Sequence, residues 1–329
     1  MITKNQQIIL KPWSKVNLFL KVLGKKSNGY HEISTFIHPV SLFDEIRIKK
    51  TKNPDLSVNC KSEDLPPGQD VPLGKSNLVY KAARLFFENI GQEPRVAIDI
   101  IKRIPIGGGM GGGSSDAAST INGLNKLFGN ILEAGVINEM CTSLGMDVAF
   151  FLDPRPALCT GRGEVIKKRF KPLKFWCILL NPGKSLSTKL VYETLNLTLT
   201  CRKRIDNISS LSNLPRTFLQ EAGLLGAGDE SIFKVVCKKA QSLTQKYALD
   251  SLTDIGNDLE DPAVRLLPDI GNGLDILKKA GAKRNIVCGS GSTVCGFVKS
   301  RIEAEEVVRK IKEETDQKWW IKVVPSLAV

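Results

Sequence analysis

A run of glycines in the first half of the chain carries the residue types best suited to chemistry. Residues 104–119 read IPIGGGMGGGSSDAAS, and six of the seven residues from Gly107 to Gly113 are glycine. Glycine loses more backbone freedom on folding than any other residue, so such a loop needs a function that offsets this loss. Successive backbone N–H groups in a glycine loop can point into one concavity, and a helix that begins there adds its positive dipole end. The loop therefore predicts an anion site, with a phosphate chain as its natural ligand.

The segments on either side of this loop predict the order strand, loop, helix. Residues 95–106 (RVAIDIIKRIPI) alternate apolar and polar side chains, and residues 114–129 begin with two serines and an aspartate, as helix N-termini often do. The P-loop motif does not fit, because Ser114 rather than a lysine follows Gly113. A dinucleotide-binding fingerprint also fits poorly, because its acidic residue should end a strand about 20 residues on, where this sequence predicts a helix.

Periodicity and capping residues predict the other elements near the loop. Strands are expected at 15–24 and 44–50, and a hairpin at 155–170. Further predictions are a helix over 77–91 closed by Gly91, a helix over Ala134–Leu144, a strand at 175–183, a strand-glycine element at 287–298 and a charged helix at 302–315. Residues 195–230 are polar and predict a loop-like insertion.

Composition indicates a globular cytoplasmic protein. The 329 residues are 42% hydrophobic and 25% charged, no apolar run is long enough to span a bilayer, and no signal peptide is visible. A net charge of +13 raises the question of nucleic-acid binding, but the basic residues are scattered and aromatic residues make up only 6%. The eight cysteines form no C-x-x-C pair and sit mostly in apolar runs, so we expect reduced, structural thiols.

Several stretches together resemble the GHMP kinase superfamily. PIGGGMGGGSSDAA is similar to its central glycine motif, and the matches cover residues 15–296 in the right order. The other matching stretches are KVNLFLKVLGKKSNGYHEIST (15–35), LGMDVAFFL (144–152), NDLEDPA (257–263) and CGSGSTVCG (288–296). Within the superfamily, the doubled triple glycine and the G-Y-H segment resemble the kinases that phosphorylate the 2-hydroxyl of 4-diphosphocytidyl-2-C-methyl-D-erythritol, in the non-mevalonate route to isoprenoid precursors.

The resemblance implies an α+β fold of two domains with the active site in the cleft between them. The N-terminal domain (1–168) would be ribosomal S5 domain-2-like and would bind ATP, and the C-terminal domain (169–329) would be ferredoxin-like. The family's general base is the aspartate of the G-x-D-V element, here Asp147, and its partner is the lysine of K-x-N-L, here Lys15. The cation would keep the carboxylate ionised and neutralise charge on the transferring phosphate. Without the resemblance, Asp147 would be read as a turn residue and Lys15 as a surface lysine.

The resemblance also assigns binding residues and a cofactor, ATP with Mg²⁺, for which Ser115 is one candidate ligand. The ATP-binding residues would be Pro105, Gly107, Gly108, Gly109, Met110, Gly111, Gly112, Gly113, Ser114 and Ser115, with Asn77 and Lys102 as weaker candidates. Asn77 could equally be a helix N-cap, and Lys102 could simply be solvated. The substrate-binding residues would be Asn17, Tyr30, His31, Gly289, Ser290 and Gly291. Tyr30 can stack on a pyrimidine, while His31 and Asn17 can pair with its edge. Asn257 and Asp258 would be structural supports, and His38 is interpreted as structural.

Two alternatives stay open at this point. One is another GHMP kinase acting on homoserine, mevalonate or a sugar, and the other is a basic nucleic-acid-binding protein. The expected partner is a small-molecule substrate, with no nucleic acid and no membrane, for a monomer or weak homodimer in the cytoplasm, or in the plastid stroma of a plant. The sequence departs from the family at Trp13 and Ser14 before the lysine, at Ala149, which replaces a proline, and at Arg162, where a small residue is usual.

Overall fold

A computed structural model of the chain describes residues 7–72, 74–195, 256–282, 284–315 and 319–327. Its helices and strands, in chain order, are β1 (Gln7–Leu10), β2 (Trp13–Lys25), β3 (His31–Phe43), β4 (Glu45–Lys50), β5 (Leu56–Ser62), α1 (Leu78–Ile90), β6 (Val96–Lys102), α2 (Gly112–Leu127), α3 (Ala134–Leu144), β7 (Ala157–Thr160), β8 (Val165–Arg169), β9 (Trp176–Asn181), α4 (Thr188–Thr194), β10 (Gly256–Asn257), α5 (Glu260–Leu266), α6 (Asp269–Lys279), β11 (Arg284–Val287), β12 (Val294–Val298), α7 (Arg301–Glu314) and β13 (Trp320–Pro325).

The first half of the chain builds two sheets and a layer of helices. One sheet has the strand order β1-β4-β6-β5, with β5 and β6 parallel and the other pairs antiparallel. The second has the order β10-β2-β3-β7-β8, in which the two-residue β10 pairs in parallel with β2. Helices α1, α2 and α3 pack together on an apolar core shared with the first sheet. The strand-loop-helix order predicted around the glycines is confirmed by β6 and α2.

Helix α1 shows how closely local sequence sets an element in this fold. Its buried residues, Val79, Ala82, Ala83, Phe86 and Phe87, recur at the spacing of one helical face. The Asn77 side-chain oxygen accepts a hydrogen bond from Val79 N at 2.8 Å, and Gly91 closes the helix in the left-handed region at φ 62°. The helix predicted over 77–91 is confirmed, and Asn77 is its N-cap.

The second half of the chain forms a four-stranded antiparallel sheet in the order β11-β12-β9-β13. If the four strands are numbered in order of sequence, their order across the sheet is 2-3-1-4. Helices α4, α5 and α6 lie between the first and second strands in the chain, and α7 lies between the third and fourth. This is the βαββαβ arrangement of ferredoxin-like domains, so the predicted fold class is confirmed. The division at residues 168 and 169 remains a prediction, and β10 shows that the later chain returns to the sheet of β2.

The other predicted elements can be compared with the described residues. The hairpin at 155–170 is the antiparallel pair β7 and β8, and the helix over Ala134–Leu144 is α3. The insertion predicted at 195–230 lies outside the described residues from position 196 onward. Among the residues that the structure describes, no helix is long and apolar enough to cross a membrane.

Candidate active site

The glycine loop joins β6 to α2 and packs against a second glycine turn, residues 289–293, from the later half of the chain. At Gly109, which has φ 74°, a side-chain Cβ would lie 1.8 Å from the carbonyl oxygen of Cys288. Only glycine permits both this backbone conformation and this approach. Thr293 N donates to the Gly108 carbonyl at 3.3 Å, which ties the two glycine segments together. A cleft of about 1590 Å³ opens beside this junction.

The loop delivers the N-terminus of α2 to the cleft. Gly111 precedes the helix in the left-handed region at φ 72°, and no side chain caps the helix there. The first backbone N–H groups of a helix have no partner within the helix, and the helix dipole makes this end positive. Gly112, Gly113 and Ser114 line the cleft at this end. The arrangement suits a phosphate group.

Lys15 and Asp147 lie close together in the same cleft. The Lys15 Nζ lies 3.4 Å from Asp147 Oδ2 and donates a hydrogen bond to Asn17 Oδ1 at 2.7 Å. Asn17 in turn donates to Thr35 Oγ1 at 2.8 Å. Side chains two residues apart on a strand share a face, so β2 places Lys15 and Asn17 together by its alternation alone. The Lys15 side chain is 4% exposed and that of Asp147 33%, so a buried cation supports a carboxylate that solutes can reach.

Aromatic and basic side chains gather at another part of the cleft. The His31 ring stacks on Tyr192 with centroids 5.0 Å apart, and the Arg162 Cζ lies 4.9 Å from the centroid of the Tyr30 ring. Burial and the charge of Lys25 lower the pKa of His31, which favours the neutral form of the ring. A neutral imidazole has one donor and one acceptor nitrogen, as needed to read the edge of a base. This region can hold a planar ring beside an anionic group.

The second glycine turn is held in place by Asn257. Its Nδ2 donates to the carbonyl oxygens of Val287 at 2.9 Å and Gly289 at 2.5 Å. The neighbouring Asp258 accepts from Val22 N at 2.7 Å, which fixes this segment to β2. Both residues therefore support the site structurally. At Gly289, a Cβ would lie 3.2 Å from Lys15 Nζ, so this turn closes directly over the lysine.

Lys102 is buried rather than solvated, which corrects one of the two interpretations offered above. Its Nζ is 2.7 Å from Asp116 Oδ2 and also bonds to Asp44 Oδ2. Burial lowers the pKa of Lys102, but the charges of Asp116 and Asp44 outweigh it and raise that pKa. Burial, reinforced by Asp44 and opposed by Lys102, raises the pKa of Asp116 to about 8. The Lys102 ammonium is held firmly in its charged form, because it lies between two carboxyl groups.

Most of the predicted site residues line this cleft, and two do not. Ser115 is 1% exposed and is not among the lining residues, nor is Gly291. Lys102 and Asn77 both line it, while serving also as a buried ion-pair partner and a helix cap. Sequence reasoning missed Thr35, Tyr192 and Asp116, which also line the cleft. Asp116 alone had a local signal, since an acidic residue follows the two serines of the glycine motif.

His38 is a structural residue, as interpreted from the sequence. It is fully buried, its Nε2 accepts from Leu173 N at 2.9 Å, and its Nδ1 therefore donates to the Pro39 carbonyl at 2.8 Å. Burial lowers the pKa of His38 to about 4, against a smaller opposing effect of the Pro39 bond. The described cysteines are free thiols, all buried except the half-buried Cys60, in agreement with their structural interpretation; Cys201 and Cys237 lie outside the described residues.

His38 should make the fold sensitive to acid. The unfolded chain binds a proton at His38 near pH 6.5 and the folded chain only near pH 4, so acidification through this interval favours unfolding. At about 1.4 kcal/mol per pH unit, His38 should remove roughly 2 kcal/mol of unfolding free energy between pH 6.5 and 5. Urea unfolding at several pH values would measure this slope in the wild type and in His38→Gln. Parallel curves for wild type and His38→Gln would contradict the assignment.

Comparison with known proteins assigns the sequence to a family. The sequence pattern described as GHMP kinases N terminal domain matches residues 77–153, and that described as GHMP kinases C terminal matches residues 238–317. A 4-diphosphocytidyl-2-C-methyl-D-erythritol kinase of Macrococcus caseolyticus is 33% identical over 91% of this chain and 93% of its own length. The chain belongs to the GHMP kinase family. A relative of the same name from Syntrophus aciditrophicus is 34% identical over 91% of this chain and 92% of its own length.

A solved structure supports the same placement within the GHMP kinases. The crystal structure of a 4-(cytidine 5'-diphospho)-2C-methyl-D-erythritol kinase superposes with a TM-score of 0.69 at 26% identity, covering 97% of this chain and all of that chain. The two GHMP segments contain the glycine loop, Asp147 and the second glycine turn. Both glycine segments of the cleft therefore lie within segments that match the family.

Proposed function

We propose that this chain transfers the γ-phosphate of ATP to the 2-hydroxyl of 4-diphosphocytidyl-2-C-methyl-D-erythritol, in the non-mevalonate route to isoprenoid precursors. The observation that carries the proposal is that one cleft contains the α2 N-terminus, the Lys15–Asp147 pair and the region around Tyr30 and His31. These are a phosphate site, an acid–base site and a site for a planar ring. Its curated relatives bear the name of this kinase.

The roles of the residues follow from the needs of phosphoryl transfer, which depends mainly on positioning and charge stabilisation. The Asp147 carboxylate accepts the proton of the acceptor hydroxyl as its oxygen attacks phosphorus. Lys15, held by Asn17, orients that carboxylate and stabilises negative charge on the transferring group. The N–H groups at the start of α2 bind phosphate oxygens of the nucleotide.

Mg²⁺ accompanies the nucleotide in this proposal, and when bound it neutralises charge on the phosphates. A cation fits the site, because Asp116 lines the cleft and its Oδ1 is a buried oxygen with no hydrogen-bond partner among the residues described. Ser114 also lines the cleft, whereas Ser115 does not. We further infer a cytoplasmic location, a monomer or weak homodimer, and no nucleic-acid partner.

The character of the acceptor region favours a nucleotidyl substrate over a small alcohol. Tyr30, His31 and Tyr192 supply flat ring surfaces, and Arg162 and Lys25 supply positive charge, all along the same cleft. Homoserine and mevalonate have neither a base to stack nor a diphosphate to pair. ADP formation should be measured with Mg²⁺-ATP and each of these acceptors in turn. Activity with the cytidyl acceptor alone supports the proposal, and faster turnover of homoserine, mevalonate or a sugar would overturn it.

Tyr30 provides a test of the acceptor region by itself. Its side chain is exposed and its ring faces Arg162, so removing the ring should not disturb the core. A base that stacks on an aromatic ring gains about 1–3 kcal/mol, so Tyr30→Ala should raise the KM of the cytidyl acceptor by about tenfold or more. The KM of ATP should not change, and Tyr30→Phe, which keeps the ring, should behave as the wild type. Equal effects on both substrates would place Tyr30 outside the acceptor site.

A further inference from the structure

The buried cluster of Asp44, Lys102 and Asp116 has one oxygen that the protein itself leaves unused. Asp44 Oδ1 accepts from Arg103 N at 2.5 Å and Ile104 N at 2.9 Å, and its Oδ2 bonds to Lys102. Asp116 Oδ2 also bonds to Lys102, at 2.7 Å. Within the part of the chain that the structure describes, Asp116 Oδ1 has no hydrogen-bond partner, although Asp116 is only 3% exposed. Buried polar atoms in proteins normally have a hydrogen-bond partner or a ligand, so this carboxylate oxygen is a candidate for ligand binding.

Asp116 lies near the start of α2, beside the proposed phosphate site. Side chains in an α-helix lean toward its N-terminus and cover the residues three and four positions earlier, which for Asp116 are Gly113 and Gly112. At Gly112, a Cβ would lie 3.2 Å from Lys102 Nζ, so the cluster reaches the phosphate-binding turn itself. Asp116 and Lys102 both line the cleft.

The buried cluster and the start of α2 favour ligands of opposite charge. With both carboxylates ionised, the cluster would carry one negative charge that Lys102 does not compensate, and burial together with Asp44 therefore raises the pKa of Asp116. The amides at the start of α2 attract a polyphosphate, and the unpaired carboxylate repels it. A divalent cation that binds carboxylate and phosphate oxygens together satisfies both, and oxygen ligands are those that Mg²⁺ prefers.

We propose that Asp116 Oδ1 is the protein's ligand to the Mg²⁺ that enters with the nucleotide. The inference rests on the proposed function only in requiring ATP at the α2 N-terminus, and it is independent of the acceptor. Lys102 is then a positioning residue, since its bond to Oδ2 fixes the Asp116 carboxylate beside the start of α2. The pair of Lys102 and Asp44 holds the carboxylate in place at the start of the helix.

The variant Asp116→Asn separates this role from a structural one. The amide oxygen should face the Lys102 ammonium, because two donors would repel, so the NH₂ group takes the place of Oδ1. Binding of the non-hydrolysable analogue AMPPNP should be measured in EDTA and in saturating Mg²⁺. In EDTA the variant should bind AMPPNP as tightly as the wild type or more tightly, because a repelling charge is gone. In Mg²⁺ its affinity should fall below the wild type by about tenfold or more.

If Asp116→Asn damaged the structure, AMPPNP affinity would fall both in EDTA and in Mg²⁺, and this result would overturn the proposal. The proposal would also be overturned if Mg²⁺ changed the AMPPNP affinity of the variant as much as it changes that of the wild type. The matched control is Asp99→Asn on β6, an exposed aspartate bonded to Asn59, which should change neither affinity. If Asp116→Asn does not fold, a second experiment uses the Asp147→Asn protein labelled with ¹³C-aspartate and bound to Mn²⁺-AMPPNP. Electron–nuclear double resonance should then show coupling between Mn²⁺ and an aspartate carboxylate. Absence of this coupling would overturn the assignment. Loss of acceptor activity alone would affect only the proposed substrate, whereas failure of the wild type to bind AMPPNP would remove both conclusions.

Discussion

Replacing Asp147 by asparagine should lower kcat by about 10²–10⁴-fold, the usual contribution of a general base. The amide occupies the same volume but cannot accept the proton of the acceptor hydroxyl. Lys15 keeps its 2.7 Å bond to Asn17, so the rest of the site should stay in place. The KM of ATP should therefore change little, and the unfolding temperature should stay near that of the wild type. Steady-state ADP formation and thermal unfolding measure these quantities.

Asp153 offers a matched control for this substitution. It lies six positions further along the chain, its side chain is 43% exposed, and it pairs with Arg155 and Arg169 away from the cleft residues. Asp153→Asn should leave kcat unchanged within about twofold, since exposed ion pairs contribute little. A loss below about tenfold in Asp147→Asn, or equal losses in the two variants, would show that Asp147 is not the base.

Replacing Gly109 by alanine should disrupt the contact between the two glycine segments. The new methyl group would lie 1.8 Å from the Cys288 carbonyl oxygen and 3.0 Å from that of Gly291, so one backbone segment must move. The left-handed conformation at φ 74° adds strain for any residue with a Cβ. We expect a loss of roughly 2–5 kcal/mol in unfolding free energy and a nucleotide affinity at least about tenfold weaker. Urea unfolding and AMPPNP binding would measure the two effects.

Gly129 provides a control that distinguishes backbone strain at a positive φ from steric overlap of a new Cβ with neighbouring atoms. It also has a positive φ, 97°, but a Cβ there meets nothing within 4 Å. Gly129→Ala should therefore lose only about 1–2 kcal/mol and bind nucleotide as the wild type does. If Gly109→Ala behaves in the same way, the close packing of the two glycine segments is not needed for nucleotide binding.

Local sequence predicted much of what surrounds the site. The glycine run predicted an anion site, because backbone N–H groups in a glycine loop can point into one concavity at the start of a helix. The structure shows that α2 begins there without a side-chain cap. Asn77 and Gly91 marked the limits of α1 correctly, since capping depends on neighbours only two to four residues away. The hairpin of β7 and β8 was also predicted correctly, because its two strands are neighbours in the sequence.

Contacts between distant parts of the chain could not be read in this way. Lys102 ends a strand with an ordinary alternating pattern, and its burial depends on Asp44, 58 positions earlier. The two-residue strand β10 has no periodicity to detect, although it joins the two halves of the chain. Tyr192 contacts His31, which is far from it in the sequence. The residues next to Tyr192 in the chain therefore gave no indication that it lines the cleft.

The measurement that tests the central claim most directly is ³¹P NMR of a reaction mixture containing the protein, Mg²⁺-ATP and 4-diphosphocytidyl-2-C-methyl-D-erythritol. Phosphorylation of the 2-hydroxyl predicts a new phosphomonoester signal that grows in step with ADP while the diphosphate signals of the acceptor remain. The Asp147→Asn protein should show neither within the same time. ADP released without that signal, or a monoester formed only from homoserine, mevalonate or a sugar, would contradict the proposed reaction.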